Sequence, residues 1–203
     1  MRSDAEMSVH IFSTHWGPCA ILLRGENLVR IYTAAGNQKR LIAEIRKHYG
    51  NCPTRIKLSQ LPRWAVELTA FLRQYYGRES GRAARNAGQR LKFTGYLDWS
   101  SLSDFDRQVL QQTAGIHRGQ TRTYGDLAAA MGKPGAARAV GAALGRNPWP
   151  VLIPCHRVVG ANGKLVGFSG FGGVSAKKRM LAMERPPALL RQRQSGSLET
   201  VVI

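Results

Sequence analysis

The sequence predicts an α/β N-terminal unit followed by a mostly α-helical C-terminal unit containing a helix-turn-helix, and three observations support this. Short β-branched apolar runs crowd the stretch from Ser8 to Thr33, helical apolar spacing takes over from Gln38, and two short helices meet at the turn Gly132-Lys133-Pro134-Gly135. With 203 residues and 43% hydrophobic content, the chain is long and apolar enough to bury a core. Boundaries are expected at 1–90 for a small accessory domain ending in a basic linker, 91–186 for the domain that carries the chemistry, and 187–203 for a tail.

In the first unit, Val9 to Phe12, Ala20 to Leu23 and Leu28 to Tyr32 read as strands. Gly17-Pro18 and Arg24-Gly25-Glu26-Asn27 supply the turns between them. Gln38 to Tyr49 has helical spacing with Leu41, Ile45 and His48 on one face; Trp64 to Tyr76 has it with Leu68, Phe71, Leu72 and Tyr75. Gly77 to Gly88, rich in Arg, Gly and Ala, reads as the connection, with Arg82, Arg85 and Arg90 able to reach a phosphate backbone or simply to keep a loop soluble.

The second unit begins near Leu97. Ser103 with Asp104 and Asp106 forms a helix start, the acids lying where the helix dipole favours them, and Phe105, Val109 and Leu110 give a buried stripe to about His117. Thr123-Tyr124-Gly125-Asp126 has the form of a capping box opening a helix through Met131. After the Gly-Pro turn, Ala136 to Leu144 forms the second helix of the pair. Ala136, Ala137, Ala139, Gly141, Ala142 and Ala143 leave it so little bulk that its backbone can lie close to a groove or to another helix, Arg138 being its one long cation.

Thirty Lys and Arg against twelve Asp and Glu leave a formal charge of +18, which attracts polyanions: nucleic acid or an acidic membrane surface. The placement says more than the total. Between Asp126 and Glu184 there is no acid, while Lys133, Arg138, Arg146, Arg157, Lys164, Lys177, Lys178 and Arg179 fall in that interval. No apolar run reaches the length of a membrane-spanning helix, and Met1 to His10 lacks the apolar core of a secretory signal. Cys19, Cys52 and Cys155 are odd in number and far apart, which argues against a disulfide framework and for a reducing cytoplasmic setting, nuclear in a eukaryote.

Ile153-Pro154-Cys155-His156-Arg157-Val158-Val159 sets a thiol beside an imidazole in an apolar run. In an extended segment neighbouring side chains point to opposite faces, so His156 needs a water to relay a proton from Cys155. Nearby cations and a helix N-terminus are expected to lower the thiol pKa. An inert buried cysteine is the competing reading; its position just downstream of the helix pair favours a reactive one. Val166 to Gly173 is a Gly-rich loop without a P-loop lysine, so it fits a base pocket, with Phe168 as a stacking face, better than a nucleotide cofactor. Lys177 to Met183 begins a terminal helix that carries Glu184.

These motifs, with Arg138-Ala139-Val140-Gly141, Arg146-Asn147-Pro148 and Arg122-Thr123-Tyr124-Gly125-Asp126-Leu127, resemble the O6-alkylguanine-DNA alkyltransferases, the methylated-DNA–protein-cysteine methyltransferases, from about Leu97 to Glu184. The likeness is weaker over Ser13 to Ile21. The resemblance implies a ribonuclease-H-like N-terminal domain, a winged-helix-like C-terminal domain, and irreversible single-turnover transfer of the alkyl group from O6-alkylguanine, with O4-alkylthymine as a further substrate, to Cys155. It implies that His156 accepts the thiol proton through a water, that Glu184 orients His156, and that Asn147 braces the turn before the cysteine. Arg138 would fill the gap left by a flipped nucleotide, Tyr124 would crowd the 3′ phosphate and donate to the base, and Thr123, Ala137 and Gly141 would lie against the DNA. Carbonyls of Cys155 and Val158 and the amide of Ser169 would read the guanine edge beside Phe168. The partner is double-stranded DNA entered from the minor groove, by a monomer, with cooperativity left open; no cofactor and no metal are expected.

Phe168 stands where many members carry Tyr, and Phe171-Gly172 lengthens the Gly-rich loop. Cys19 and Cys52 lack the partners of the N-terminal zinc site that some members hold. Two alternatives stand beside this reading: a non-catalytic, alkyltransferase-like lesion binder, which Cys155 argues against because such proteins replace that residue, and a cysteine hydrolase, which lacks a positioned oxyanion motif.

Overall fold

The computed structural model describes residues 6–33, 36–50, 53–77 and 90–184, arranged in two compact units. The first takes in the described residues up to Ser101 together with Pro148–Leu152; the second comprises Leu102–Asn147 and the described residues from Ile153 onward. Residues 91–101, expected in the second domain, fall in the first unit. There the amide of Asp98 donates to the carbonyl of Leu28 at 3.0 Å and its carboxylate accepts Arg24 at 2.8 Å.

The three expected strands form β1 (Met7–Thr14), β2 (Gly17–Arg24) and β3 (Asn27–Tyr32), an antiparallel meander with Phe12 opposite Cys19 and Ile21 opposite Ile31. Helix α1 (Gln38–Tyr49) follows, its Asn37 cap accepting from the amide of Arg40 at 2.9 Å. It buries Leu41 and Ile45 and leaves His48 exposed, where the His48 ring meets the Glu44 carbonyl. A two-residue strand, β4 (Thr54–Arg55), then pairs parallel to β1 and completes the order β3-β2-β1-β4; sequence alternation gave no signal for so short an element. Helix α2 (Arg63–Tyr75) buries Leu68, Phe71, Leu72 and Tyr75, as its spacing predicts.

Trp149 and its neighbour Pro148 tie the segment Pro148–Leu152 to the meander. Fully buried, Trp149 donates its indole N–H to the Leu28 carbonyl at 2.9 Å and sets its ring edge against Trp99, while the carbonyl of Pro148 accepts from the amide of Ile31 at 2.8 Å. Arg90 is likewise structural: it is buried and donates to the Leu152 carbonyl at 2.9 Å, so it does not face a phosphate backbone. Arg82, Arg85 and Cys52 lie outside the described residues, as does the tail 187–203.

The second unit is built on α3 (Asp104–Ala114), α4 (Tyr124–Ala130), α5 (Ala137–Gly145) and α6 (Gly173–Glu184), with a parallel pair of two-residue strands, β5 (Arg122–Thr123) and β6 (Val158–Val159). Helix α3 stops three residues short of His117 because the chain turns after Gly115 to bury Ile116. Thr123 and Asp126 form the expected reciprocal capping box at α4, at 3.0 and 2.8 Å. The turn after α4 uses Gly132 and Gly135 at φ 68° and 94°, conformations that glycine adopts without strain. Asp106, expected to serve the helix dipole, is buried and accepts both Nε and Nη2 of Arg146 at 3.0 and 2.6 Å, a fork that holds the end of α5 to the start of α3. Val140, Ala143 and Leu144 form the buried side of α5.

The cap of α3 offers a direct check. The Ser103 hydroxyl accepts from the amide of Asp106 at 3.1 Å, so Ser103→Ala should cost about 1 kcal/mol, read as a lower denaturant midpoint with an unchanged slope. An unchanged midpoint would show that this cap does not stabilise the helix.

Candidate active site

Within the second unit a cavity of about 830 Å³ opens between α4, α5 and the loop that precedes α6. The carboxy end of α5 leads through Arg146 and Asn147 into the segment that carries Cys155, which is how a small-residue helix and a thiol come to line one space. Thr123, Tyr124, Ala137, Arg138, Gly141, Cys155, Phe168 and Ser169, eight of the residues predicted for the site, share that lining. Arg138 is exposed, and Gly141 faces Tyr124: a Cβ built on it would lie 3.7 Å from the ring. The four other predicted residues, His156, Glu184, Asn147 and Val158, are buried behind the cavity wall.

Cys155 opens a three-residue 3₁₀ turn, Cys155–Arg157, and not the extended segment that the apolar run suggests. The expected lowering of its thiol pKa is overturned. Burial pushes the thiol up, because a thiolate loses its hydration there. Hydrogen bonding from Asn147, the positive charge of Lys177 and the backbone amides of Cys155 and His156 act in the opposite direction without cancelling that effect. Asn147 also donates its side-chain N–H to the Ile153 carbonyl at 2.9 Å, so it both braces the turn and faces the sulfur.

Behind the turn, His156 is fully buried and its Nε2 donates to Glu184 Oε1 at 3.0 Å. With the proton held on Nε2, Nδ1 is the basic nitrogen. Burial lowers the His156 pKa and Glu184 only partly restores it, so the ring is neutral at pH 7. Burial alone would raise the Glu184 pKa, but His156 and Arg157 outweigh it and hold the carboxyl far below its ordinary range.

Arg157 and Lys177 take parts that sequence reasoning did not assign. Arg157, buried beside His156, donates Nε to Glu184 Oε2 at 2.7 Å, Nη2 to Oε1 at 2.9 Å and Nη1 to the Ile116 carbonyl at 2.7 Å. Arg118 donates to the carbonyls of Met183 and Glu184 and so holds the end of α6. Lys177 is fully buried, and its ammonium reaches the Val166 carbonyl at 3.0 Å, the Gly167 carbonyl at 3.3 Å and the Tyr124 hydroxyl at 3.4 Å. Tyr124 in turn donates to the Val166 carbonyl at 3.1 Å. One cation thus ties the Gly-rich loop to the first residue of α4. A signal for it existed: Lys177, Met180 and Glu184 lie at i, i+3 and i+7, one face of α6, and all three are buried. In the loop, Phe168 lies over Gly170, where an added Cβ would come within 2.6 Å of the ring. A side chain at position 170 would have to displace the ring.

Fold and site together define a protein with one thiol at the wall of an open cavity, backed by a neutral histidine and an ion pair, beside a small-residue helix with an exposed arginine. The family profile described as "6-O-methylguanine DNA methyltransferase, DNA binding domain" matches residues 104–186. Curated relatives named methylated-DNA–protein-cysteine methyltransferase include one from Mycolicibacterium paratuberculosis, 44% identical over 113 residues (56% of this chain, 67% of the relative), and one from Methanosarcina barkeri, 40% identical over 114 residues (52% and 71%). Against the Mycobacterium bovis relative the match takes in 60% of the relative's length. Among solved structures, that of the Mycobacterium tuberculosis O6-methylguanine methyltransferase has a TM-score of 0.59 at 28% identity, covering 92% of this chain and 99% of that one. A structure of the same organism's protein "in complex with DNA" has a TM-score of 0.57 at 28% identity, covering 87% and 92%. The chain belongs to the methylated-DNA–protein-cysteine methyltransferase family.

The buried ion cluster makes stability depend on pH with a definite sign. A depressed folded-state pKa means that Glu184 contributes fully above its ordinary value of 4.5 and that the contribution is lost as pH falls below it. Glu184→Gln strands the Arg157 charge and should cost about 3–5 kcal/mol at pH 7, by denaturant unfolding, with the gap to the wild type narrowing below pH 4.5. A gap that does not change with pH would contradict an ionised Glu184.

Proposed function

We propose that the protein repairs O6-alkylguanine, and O4-alkylthymine as a second lesion, in double-stranded DNA by transferring the alkyl group to Cys155 once per molecule. The observation that carries this reading is Cys155 at the wall of an open cavity with the His156–Glu184 pair directly behind it. The thiol proton passes through one water to His156 Nδ1. The sulfur then attacks the alkyl carbon in line with its bond to O6; a C–S bond forms, the C–O6 bond breaks, and its electron pair stays with the guanine. Tyr124 turns its hydroxyl from the Val166 carbonyl to the departing base and gives it a proton; His156 releases the thiol proton to solvent and Tyr124 regains one from it, so no net proton is gained or lost. The thioether has no easy leaving group, so the protein is consumed. A raised thiol pKa suits this sequence, because the proton is held until a base is in place and a resting thiolate is not exposed to other electrophiles.

For the base to reach Cys155 it must leave the stack. Helices α4 and α5 act as a helix-turn-helix whose second member, α5, enters the minor groove, where its Ala and Gly surface allows close approach and Arg138 fills the space the nucleotide vacates. Thr123, Ala137 and Gly141 lie along the same approach, and the carbonyls of Cys155 and Val158, the amide of Ser169 and the ring of Phe168 frame the base. The meander followed by a helix and a parallel strand is consistent with a ribonuclease-H-like N-terminal domain, and the β5–β6 pair with a winged second domain. The protein acts as a monomer in the cytoplasm; no helix among the described residues is long and apolar enough to cross a membrane. Cys155 favours transfer over lesion binding alone.

Intact-mass measurement after incubation with a duplex containing one O6-methylguanine tests the reaction. The expected result is a gain of one methylene unit that is absent in Cys155→Ser while DNA binding persists. DNA binding with no mass gain in the wild type would replace transfer by lesion recognition.

A further inference from the structure

The thiol and its supporting groups lie in the second unit, yet the first unit carries a charged face that the transfer reaction does not use. On α1, Lys39, Arg40, Arg46 and Lys47 are all exposed, and positions 0, 1, 7 and 8 along a helix of 3.6 residues per turn fall on one side of it. Leu41 and Ile45 are buried on the other side. Ala43, exposed in the middle of the basic side, adds no bulk.

Two features set this face apart from an ordinary solvated one. No salt bridge forms to Lys39, Arg46 or Lys47 among the described residues; the acids of this unit that do form them there pair elsewhere, Asp98 with Arg24, Glu67 with Arg63 and Lys92, and Glu44 with His48. The placement also runs against the helix's own electrostatics. Arg46 and Lys47 complement the carboxy end, but Lys39 and Arg40 occupy the first turn, which contains no acid and where the helix dipole disfavours cations. Lys39, kept where its charge does not help its own helix and where no salt bridge among the described residues offsets it, signals an external anion.

We propose that this face of α1 is a second DNA-contacting surface that binds the phosphates of duplex DNA without reading sequence. The two cation pairs are separated by about 10 Å of helix, from about 1.5 Å of rise per residue, comparable to a major groove about 12 Å wide, so each pair can meet one of two facing phosphate ridges. No aromatic side chain lies on the face to stack unpaired bases, which favours duplex over single strands. This goes beyond the lesion site and rests on DNA being the partner.

The test uses the full chain with Lys39→Gln, Arg40→Gln, Arg46→Gln and Lys47→Gln combined; glutamine keeps helix propensity and removes charge. Affinity for an undamaged duplex is measured across a salt series. The slope of log K against log salt should fall in magnitude by about 0.9 for each phosphate no longer neutralised, hence by about 2 to 4, while methyl transfer from free O6-methylguanine stays unchanged. The two pairs tested separately, Lys39→Gln with Arg40→Gln and Arg46→Gln with Lys47→Gln, should each give part of that fall, which keeps the test valid if the fourfold variant misfolds. An unchanged slope with unchanged methyl transfer overturns the proposal, as does a loss confined to single-stranded DNA. Failure of the wild type itself to take up methyl overturns the proposed function instead.

Discussion

Three donors converge on the carboxylate of Glu184 in a place with almost no access to water: the imidazole Nε2 of His156 and the Nε and Nη2 of Arg157. Burying a carboxylate is costly, and here the cost is offset only because every partner is in place. The arrangement determines more than its own stability. By holding a proton on Nε2 it makes Nδ1 the basic nitrogen of His156, and by gripping both His156 and Arg157 it fixes the turn whose first residue is Cys155. Arg157 extends the grip to the Ile116 carbonyl after α3, and Arg118 holds the end of α6 that presents Glu184. The thiol stands at the edge of a small ionic core.

The opposite wall of the cavity depends on a second buried charge. Lys177 has no carboxylate partner among the described residues; carbonyls from the Gly-rich loop and the Tyr124 hydroxyl surround it. Burial lowers its pKa, and the proximity of Cys155 raises it. Lysine and thiol are therefore coupled: the charged form of each favours that of the other, and alkylation, by leaving a thioether that cannot ionise, removes that coupling. The same thiol contributes to the raised pKa of Tyr124, whose first cause is burial.

Much of this was legible in the sequence. The strands of the meander, the Asp126 capping box and the small-residue helix followed from local patterns, and those patterns are strong because turn chemistry and periodicity act over a few residues. What the sequence hid was set by distant partners. Asp106 read as a dipole residue until Arg146, forty positions away, proved to be its partner. The two-residue β4 exists only because β1 offers a pairing edge. Cys155 read as a thiol activated by nearby charge, and desolvation, a property of the assembled fold, reversed the direction. Lys177 was visible only as part of a basic run, although its seven-residue spacing from Glu184 already placed both on one helix face.

The central claim is that His156 is a neutral base held by Glu184 in a buried site, and the imidazole's own titration tests it most directly. Two-dimensional NMR of the histidine ring nitrogens, followed from pH 8 downward, should show Nε2 protonated and Nδ1 bare for His156 throughout the range where an ordinary histidine titrates, around its usual value of 6.5. Protonation of both nitrogens at or above that value would contradict the account, since a histidinium in the resting protein cannot accept the thiol proton.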